Sequence, residues 1–435
     1  MRSVVFGVIM LCFLLTSGTL LAQQQTDDRP LGVFYAGAYY DVPPPGGNET
    51  SKYLVGPIAR KADNFTGDEL TAYVEDAIKG NKAFSTKVQV AFGADAQLGK
   101  DGGALAIYIP RAQHDQVKYS VPGAPDIYLT TVSISVAIDV FTDKAAERNN
   151  LQLEGLYSRL LVGEQSIKSR APLDDAALAS SYGALFNQTL TDLLNDAADE
   201  QLGRQRERAN ATFQLSEFLM PKGDKFPPEI AQLIGSGSEI ERMKLSLEFL
   251  HLVNKRVSDE VKRRNYPDIA LLSPPTAWAV SNVGELLAKR LVGKSRGGNV
   301  KIRFFLDPNA EQAVDSRLGN LGPVGYVVKP ALVRASTKVL AESEIQKAKI
   351  FGVTLLTRIF LPKQGQEPKW VPVTVPEQAR TAKGVGGADI DDVAGMERVT
   401  SREIAMTAMR AAAKDLAPGL VDLMRNIADN RVENR

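Results

Sequence analysis

Tyr53-Leu-Val-Gly-Pro-Ile-Ala59, Asp68 to Lys79, and Thr86-Lys-Val-Gln-Val-Ala-Phe92 read in that order as strand, amphipathic helix and strand. Thr66-Gly-Asp-Glu69 has the form of a capping box, in which the Thr hydroxyl and the Glu carboxylate satisfy free amides of the first turn. Leu70, Tyr73, Val74, Ala77 and Ile78 then recur at helical spacing and make one apolar face. Gly80 stands where a helix wants a left-handed residue to stop. Val88, Val90 and Phe92 alternate with less apolar neighbours, as a strand does. A β-α-β unit of this kind predicts an α/β layer fold.

Working outward, 93–103 reads as a Gly- and Asp-rich loop and Ala104 to Ile109 as a short strand. Ile127 to Phe141 is the plainest strand of the chain. Val132, Ile134, Val136, Ile138 and Val140 alternate with Thr131, Ser133, Ser135, Ala137 and Asp139, which predicts one buried and one solvated face. Leu151 to Ile167 is its expected antiparallel partner. Asp174 opens a long helix whose stripe runs through Leu178, Tyr182, Leu185, Phe186, Leu190, Leu193, Leu194 and Ala197.

A second pass of the same plan is expected from Ile269. Pro267 to Leu272 reads as a strand, Thr276 to Leu291 as a helix opened by Pro274-Pro275 and closed by Gly293, and Val300 to Leu306 as a strand. Tyr326 to Leu340 and Lys347 to Pro362 form an expected hairpin, with Trp370 to Val375 as an edge strand bounded by prolines. Thr381 to Gly395 reads as a Gly/Asp loop. Thr400 to Asn426 is the closing helix, in which Pro418 predicts a kink. The fold class is therefore α/β, tending to α+β: two tandem mixed-sheet domains, each β-α-β followed by a β-hairpin and a covering helix.

The boundaries follow from composition. Residues 1–22 have the form of a secretory signal: Met1-Arg2, an apolar run from Val4 to Leu15, and Leu20-Leu21-Ala22 before Gln23-Gln24-Gln25. The alternative is a membrane anchor, but the unbroken apolar run falls short of the ~20 residues that a spanning helix needs. Leu11 before Cys12, and the mid-segment place of that cysteine, argue against a lipoprotein signal. Residues 23–50, with Pro43-Pro44-Pro45-Gly46-Gly47, read as an arm, or as a docked loop with a short strand at Val33-Phe34-Tyr35 or Tyr39-Tyr40. The first α/β domain spans 51–203. A linker of 204–265 holds a helix at 239–264 with near-heptad Ile240, Met243, Leu247, Leu250, Val257 and Val261. The second α/β domain spans 266–435.

Charge and composition exclude several functions. Lys and Arg total 52 against 51 Asp and Glu, net +1, so no global field draws nucleic acid or anionic lipid. Cys12 is the only cysteine and leaves with the expected signal, removing disulfides, thiolate metal sites and cysteine nucleophiles from the mature chain. An exported chain of this size without disulfides fits a bacterial periplasm or outer membrane. The Asn-x-Thr sequons at Asn48, Asn64, Asn187 and Asn210 are then chance.

No catalytic, cofactor-binding or metal-binding residue is assigned. His114 reads as a polar-loop residue and His251 as a helix residue between Leu250 and Leu252, neither in an HExxH setting. Gly93 to Asp101 departs from a phosphate loop by one extra residue and by Asp101 where a hydroxyl is needed. Gly384-Val385-Gly386-Gly387 does not complete a dinucleotide fingerprint. Asp389, Asp391, Asp392 and Glu397 offer oxygens without EF-hand spacing, so a solvated loop is preferred to a Ca²⁺ site. Lys255-Arg256 and Lys262-Arg263-Arg264 are divided by Asp259-Glu260 and read as ordinary i,i+4 surface pairs. Neither a nucleophile elbow nor a penicillin-binding Ser-x-x-Lys set with its companions is present.

The capped helix running through Lys82-Ala83-Phe84-Ser85-Thr86-Lys87-Val88 into a strand resembles the α/β domain shared by the curli secretion channel protein, the TolB amino-terminal domain and the FlgT flagellar ring protein. The resemblance covers roughly residues 53–200, and less clearly 267–427. It implies a non-enzymatic part of an envelope assembly, without those families' lipid anchor or propeller. The expected function is an exported structural or assembly component of a periplasmic or outer-membrane complex. Its expected partners are other envelope proteins or itself, with no nucleic acid and no transmembrane segment in the mature chain. The alternatives are a periplasmic ligand-binding protein with an interdomain pocket, and a carboxylate-dependent hydrolase.

Overall fold

The structure is a computed structural model. It describes residues 31–40, 68–93, 103–120, 123–143, 150–200, 209, 211–220, 239–274, 299–303, 325–342, 346–363, 369–372, 381–393, 396–397 and 400–432. The expected strand at 53–59, the helix at 276–291, most of the 93–101 loop and the signal lie outside these residues. Gly32–Arg435 makes one compact unit.

The fold is α/β with two mixed sheets. The first uses β1 (Leu31–Tyr40), β2 (Val88–Ala91), β3 (Gly103–Tyr119), β4 (Ile127–Asp143) and β5 (Asn150–Ser169), with helices α1 (Asp68–Gly80), α2 (Lys82–Ser85) and α3 (Asp175–Asp199). The second uses β6 (Ala211–Leu215), β7 (Ile269–Leu272), β9 (Gly325–Glu342), β10 (Gln346–Lys363), β11 (Lys369–Pro372), β12 (Thr381–Val393) and β13 (Met396–Glu397), with α4 (Glu239–Arg264) and α5 (Ser401–Val432). β8 (Asn299–Arg303) comes from the second half but joins the first sheet, parallel to β5.

The strand orders show that one plan is used twice. The first sheet runs β2-β1-β3-β4-β5 and the second β7-β6-β9-β10-β12. β1 is parallel to β3 and β6 is parallel to β9, and each sheet then continues as an antiparallel meander. Each copy is a strand, a crossover helix, a strand beside the first, a three-stranded meander and a closing helix. The first copy opens at β1, within the segment read as an arm. The second opens at β6, within the segment read as a linker, and the 239–264 helix is its crossover, the counterpart of α1.

Local chemistry explains these elements. Asp174 caps α3, its Oδ1 accepting from the Ala177 amide at 2.8 Å; such caps are worth about 1 kcal/mol. Leu178, Tyr182, Leu185, Phe186, Leu190, Leu193 and Leu194 of α3 are buried, each contributing ~1.5–3 kcal/mol. Asn81 caps α2 through the Phe84 amide at 2.9 Å, and this turn seats Phe84 in the core. Gly37 has φ 119° where the β1–β3 register shifts, a bulge that only glycine enters without strain. Asn265 (φ 53°) ends α4 in the left-handed conformation, and the chain turns directly into β7.

One expectation about the second sheet is corrected. Residues 381–393 are a strand, not a loop: β12 pairs with β10 from Thr381 to Val393. α5 packs along β12, and it turns Ala405, Ala408, Ala412, Ala413 and Ala417 into the core. Glycine is depleted in strands, and Gly384, Gly386 and Gly387 give this one the composition of a loop. Pro418 lies inside α5, which is continuous to Val432.

Candidate functional site

β4 carries the main surprise. Its two faces differ in composition, as expected, yet both are buried. Val132, Ile134, Val136, Ile138 and Val140 are inaccessible, and so are Thr131, Ser133, Ser135, Ala137 and Asp139. The apolar row faces α3: Ile134 pairs across the ladder with Gly163, which lies directly under Thr189 and Leu185 of α3. The opposite row faces the second copy. Thr131 accepts from the Thr400 hydroxyl at 2.7 Å, and the Ser135 hydroxyl donates to Glu248 of α4. The solvated face that alternation predicts is a polar seam between the two copies.

The seam is charged. Glu248, 1% exposed, is flanked by Arg402 at 3.4 Å and Arg111 at 3.6 Å. Arg402 also reaches Glu164 of β5 at 3.1 Å, and Arg410 reaches Glu164 at 2.6 Å. Glu241 is shared by Arg111 at 3.6 Å and Lys244 at 3.1 Å. Burial pulls the Arg111 pKa below its ordinary value, opposed by Glu248, reinforced by Arg402 and opposed again by Glu241. His251 is fully buried, and its Nδ1 accepts from the Leu160 amide at 3.1 Å. That bond ties α4 to β5 and uses the nitrogen a general base would offer.

A second cluster closes the other end. Glu200, just past α3, accepts from Arg159, from the Tyr157 hydroxyl at 2.9 Å and from the Ser258 hydroxyl at 3.1 Å; Lys262 stands at 3.5 Å. Burial would raise the Glu200 pKa, but Arg159 and then Lys262 outweigh it and hold it below the usual carboxylate value. Burial, and then the Glu200 charge, push the Tyr157 phenol well above its usual pKa. A carboxylate held ionised beside a phenol held protonated is a structural hydrogen-bonded pair, not an acid–base couple set for turnover.

Two cavities border these clusters. One of about 140 Å³ lies between Leu160–Val162 of β5 and Glu248, His251, Lys255, Arg256 and Arg410. The other, of about 50 Å³, touches Tyr157, Glu200, Asn254, Ser258 and Lys262. Pockets for drug-sized ligands are roughly 300–1,000 Å³, so both are on the scale of a few waters or a very small molecule. The buried Asn254 Oδ1, without a hydrogen bond to protein, suits a water in the smaller one.

The residues weighed in the sequence fall as follows. His114 is not in a loop but on β3, half-buried, its Nδ1 3.4 Å from the Tyr182 hydroxyl. The run Asp389 to Asp392 is held in the β10–β12 ladder, so its backbone is not free to wrap an ion. Among the described residues no group of three or more His, Cys, Asp or Glu is placed to hold a metal. Among the described residues no helix is long and apolar enough to cross a membrane. Lys255–Asp259 and Arg264–Glu260 form the expected i,i+4 pairs at 3.2 and 2.6 Å. Lys255 and Arg264 also reach other helices, at Asp196 and Asp422. Arg111, Glu164, Glu248 and Arg402 were not singled out in the sequence. For Glu248 the available signal was a charge inside an apolar helical stretch, Leu247-Glu248-Phe249.

No protein-family model matches the chain, and no curated protein matches it. Solved structures similar to it include protein XCC0632 from Xanthomonas campestris, 17% identical over 43% of this chain and 93% of that one, with a TM-score of 0.24. A putative neuraminyllactose-binding hemagglutinin homolog from Helicobacter pylori is 9% identical over 40% of this chain and 89% of that one, TM-score 0.22. Rare lipoprotein B from Shewanella oneidensis is 10% identical over 39% of this chain and 90% of that one, TM-score 0.15.

Proposed function

We propose that the chain is an exported, non-catalytic structural or assembly component of a bacterial cell-envelope complex, its two copies of the plan serving as its two domains. Export rests on the signal-like residues 1–22. The observation that carries the reading is the far end of the β9–β10 ribbon. Beyond Leu332, Ala335 of β9 still packs against the core, while Val333, Val339 and Leu340 are 49%, 47% and 56% exposed. Large apolar side chains exposed together along one strand mark a protein contact. The interior supports the same reading, because its charges are spent on holding the copies together. The resemblance to curli-channel, TolB and FlgT domains agrees with it.

A ligand-binding role has one observation in its favour, the 140 Å³ cavity between β5 and the second copy's helices, and the volume limits it to very small molecules. The assembly reading predicts that the full chain, expressed with its signal in a bacterial host, fractionates with the envelope. Light scattering after size exclusion should then show a species larger than a monomer. A strict monomer confined to the cytosol contradicts it.

A further inference from the structure

We propose that the open face of the second sheet docks the α1–α3 helix layer of a second copy of this chain; this rests on the assembly reading and names the partner. The rows of that face are anchored on β10, whose pairing with β12 is unbroken. Residues directly opposite one another on neighbouring antiparallel strands share a face. Arg334, Thr354 and Val385 make one row, Ala331, Leu356 and Lys383 the next, and Lys329 and Arg358 the third. Val333 is the extra residue of β9 between the first two rows, and each row stays paired across it. α5 covers the opposite face, where Phe351, Val353, Leu355 and Ala382 are buried. On the open face Arg334, Arg358, Lys383 and Val385 are exposed, and Thr354 and Leu356 are half-buried. Lys329 is tied to Glu217 at 3.3 Å, and no carboxylate among the described residues pairs with Arg334, Arg358 or Lys383.

The helix layer of the first copy is the complement of this face. α1 and α3 lie side by side: the Tyr73 hydroxyl donates to Asn187, and Asn81, just past α1, donates to Asn195 at 3.2 Å. Their inner residues are buried on the first sheet, while Asp76 and Asp192 are exposed. α3 carries no Lys or Arg from Asp175 to Asp199. Lys79 and Lys87 are tied to Glu75 at 2.6 Å and Asp199 at 3.2 Å; Lys82 stands at the end of the layer, on α2. The same stacking already occurs inside the molecule, where α4 and α5 of the second copy lie over the polar row of β4 in the first sheet. Each copy of the plan thus offers a helix layer on one side and a sheet face on the other. The internal seam uses one of each, and the acidic α1–α3 layer and the basic β10 face are left. Two unlike surfaces that fit each other make a head-to-tail contact, which passes from molecule to molecule and does not close on a pair. Sheet face on sheet face sets cation on cation, and like charges across an interface are disfavoured. At ~4.8 Å per strand the three-stranded face is narrow, so the contact depends on concentration and dilute protein presents the β10 row open.

The test is sedimentation equilibrium of the purified chain over a range of concentrations. Its mass should rise past that of a dimer, and added sodium chloride should reverse the rise. Arg334→Glu with Lys383→Glu on the sheet face, and separately Asp76→Lys with Asp192→Lys on the helix layer, should each move the association midpoint to at least ~10-fold higher concentration, with unchanged melting temperatures. Mixed together, the two variants should associate again, because each reversed surface meets its complement on the other variant. The salt response of the unaltered chain decides the matter even where a variant fails to fold. A chain that stays monomeric, stops at a dimer or associates regardless of salt overturns the proposal, and so do folded variants that associate as before or stay apart when mixed. Envelope fractionation separates the two readings: if the unaltered chain enters a large complex in the host but is monomeric when purified, the self-stacking falls and the assembly reading stands.

Discussion

β4 and β10 hold the same place in the two copies, fourth from the parallel end of each sheet, and their surroundings are opposite. In β4 the row Thr131, Ser133, Ser135 is as buried as the row Val132, Ile134, Val136. In β10 Phe351, Val353, Leu355 and Thr357 are buried, while Gly352, Thr354 and Leu356 are half-buried and Arg358 is exposed. The strand with the cleaner polar alternation is thus the one covered on both faces. Alternation reports that two faces differ in chemistry. It does not report that one of them meets water. For β4 the difference separates an apolar layer under α3 from a hydrogen-bonded, ion-paired layer under α4 and α5.

The largest effect that sharpens this contrast is expected at the seam. Glu248→Ala leaves Arg111 and Arg402 buried beside a lost carboxylate, and breaking a buried pair from one side costs about 3–5 kcal/mol. Arg358→Ala, on the exposed row of β10, should change stability by less than about 0.5 kcal/mol. Urea unfolding of both variants checks this, and similar midpoints would break the comparison.

A smaller effect depends on pH and reports the outer face of α4. Arg263 and Arg264 hold the Glu260 carboxyl at a pKa of about 2, below its ordinary 4.5. The folded value is the lower one, so the stabilisation is complete above about pH 4.5 and is lost as pH falls toward 2. Glu260→Gln should flatten the stability profile in that window and leave it unchanged in shape near neutrality. Parallel acid titrations of the two proteins would measure it, and equal slopes below pH 4.5 would remove the pair from the account.

Much of the architecture is legible in the sequence, because it is carried by local periodicity. Helix 239–264, the Asp174 cap, the β4–β5 pair and the β9–β10 hairpin all follow from patterns within one element. The frame of the repeat was displaced by one strand, and the reasons are local too. β1, Leu-Gly-Val-Phe-Tyr-Ala-Gly-Ala-Tyr-Tyr, has no alternation, since small residues let it sit buried on both faces next to β3. β6 alternates Thr212 and Gln214 with Ala211, Phe213 and Leu215, but at five residues it is too short for that pattern to stand out. β12 looks like a loop because Gly384, Gly386 and Gly387 stand in it, and glycine is depleted in strands. The seam was illegible for a different reason. Arg111, Glu164, Glu248 and Arg402 come from four elements, and no spacing along the chain links them; only the stacking of one copy's sheet on the other's helices brings them together.

The central claim is that the polar row of β4 is sealed by the second copy while the corresponding strand β10 keeps an open row. Cys12 is the chain's only cysteine, so single reporter thiols are simple to place. Ser133→Cys and Arg358→Cys, each in a Cys12→Ser background, would be exposed to a maleimide in native buffer and again in urea. The Arg358→Cys thiol should react as a free thiol in both. The Ser133→Cys thiol should react at least ~100-fold more slowly in native buffer, since labelling waits on opening of a core segment, and should match the other only once the chain unfolds. Equal native rates at the two positions would contradict the sealed seam.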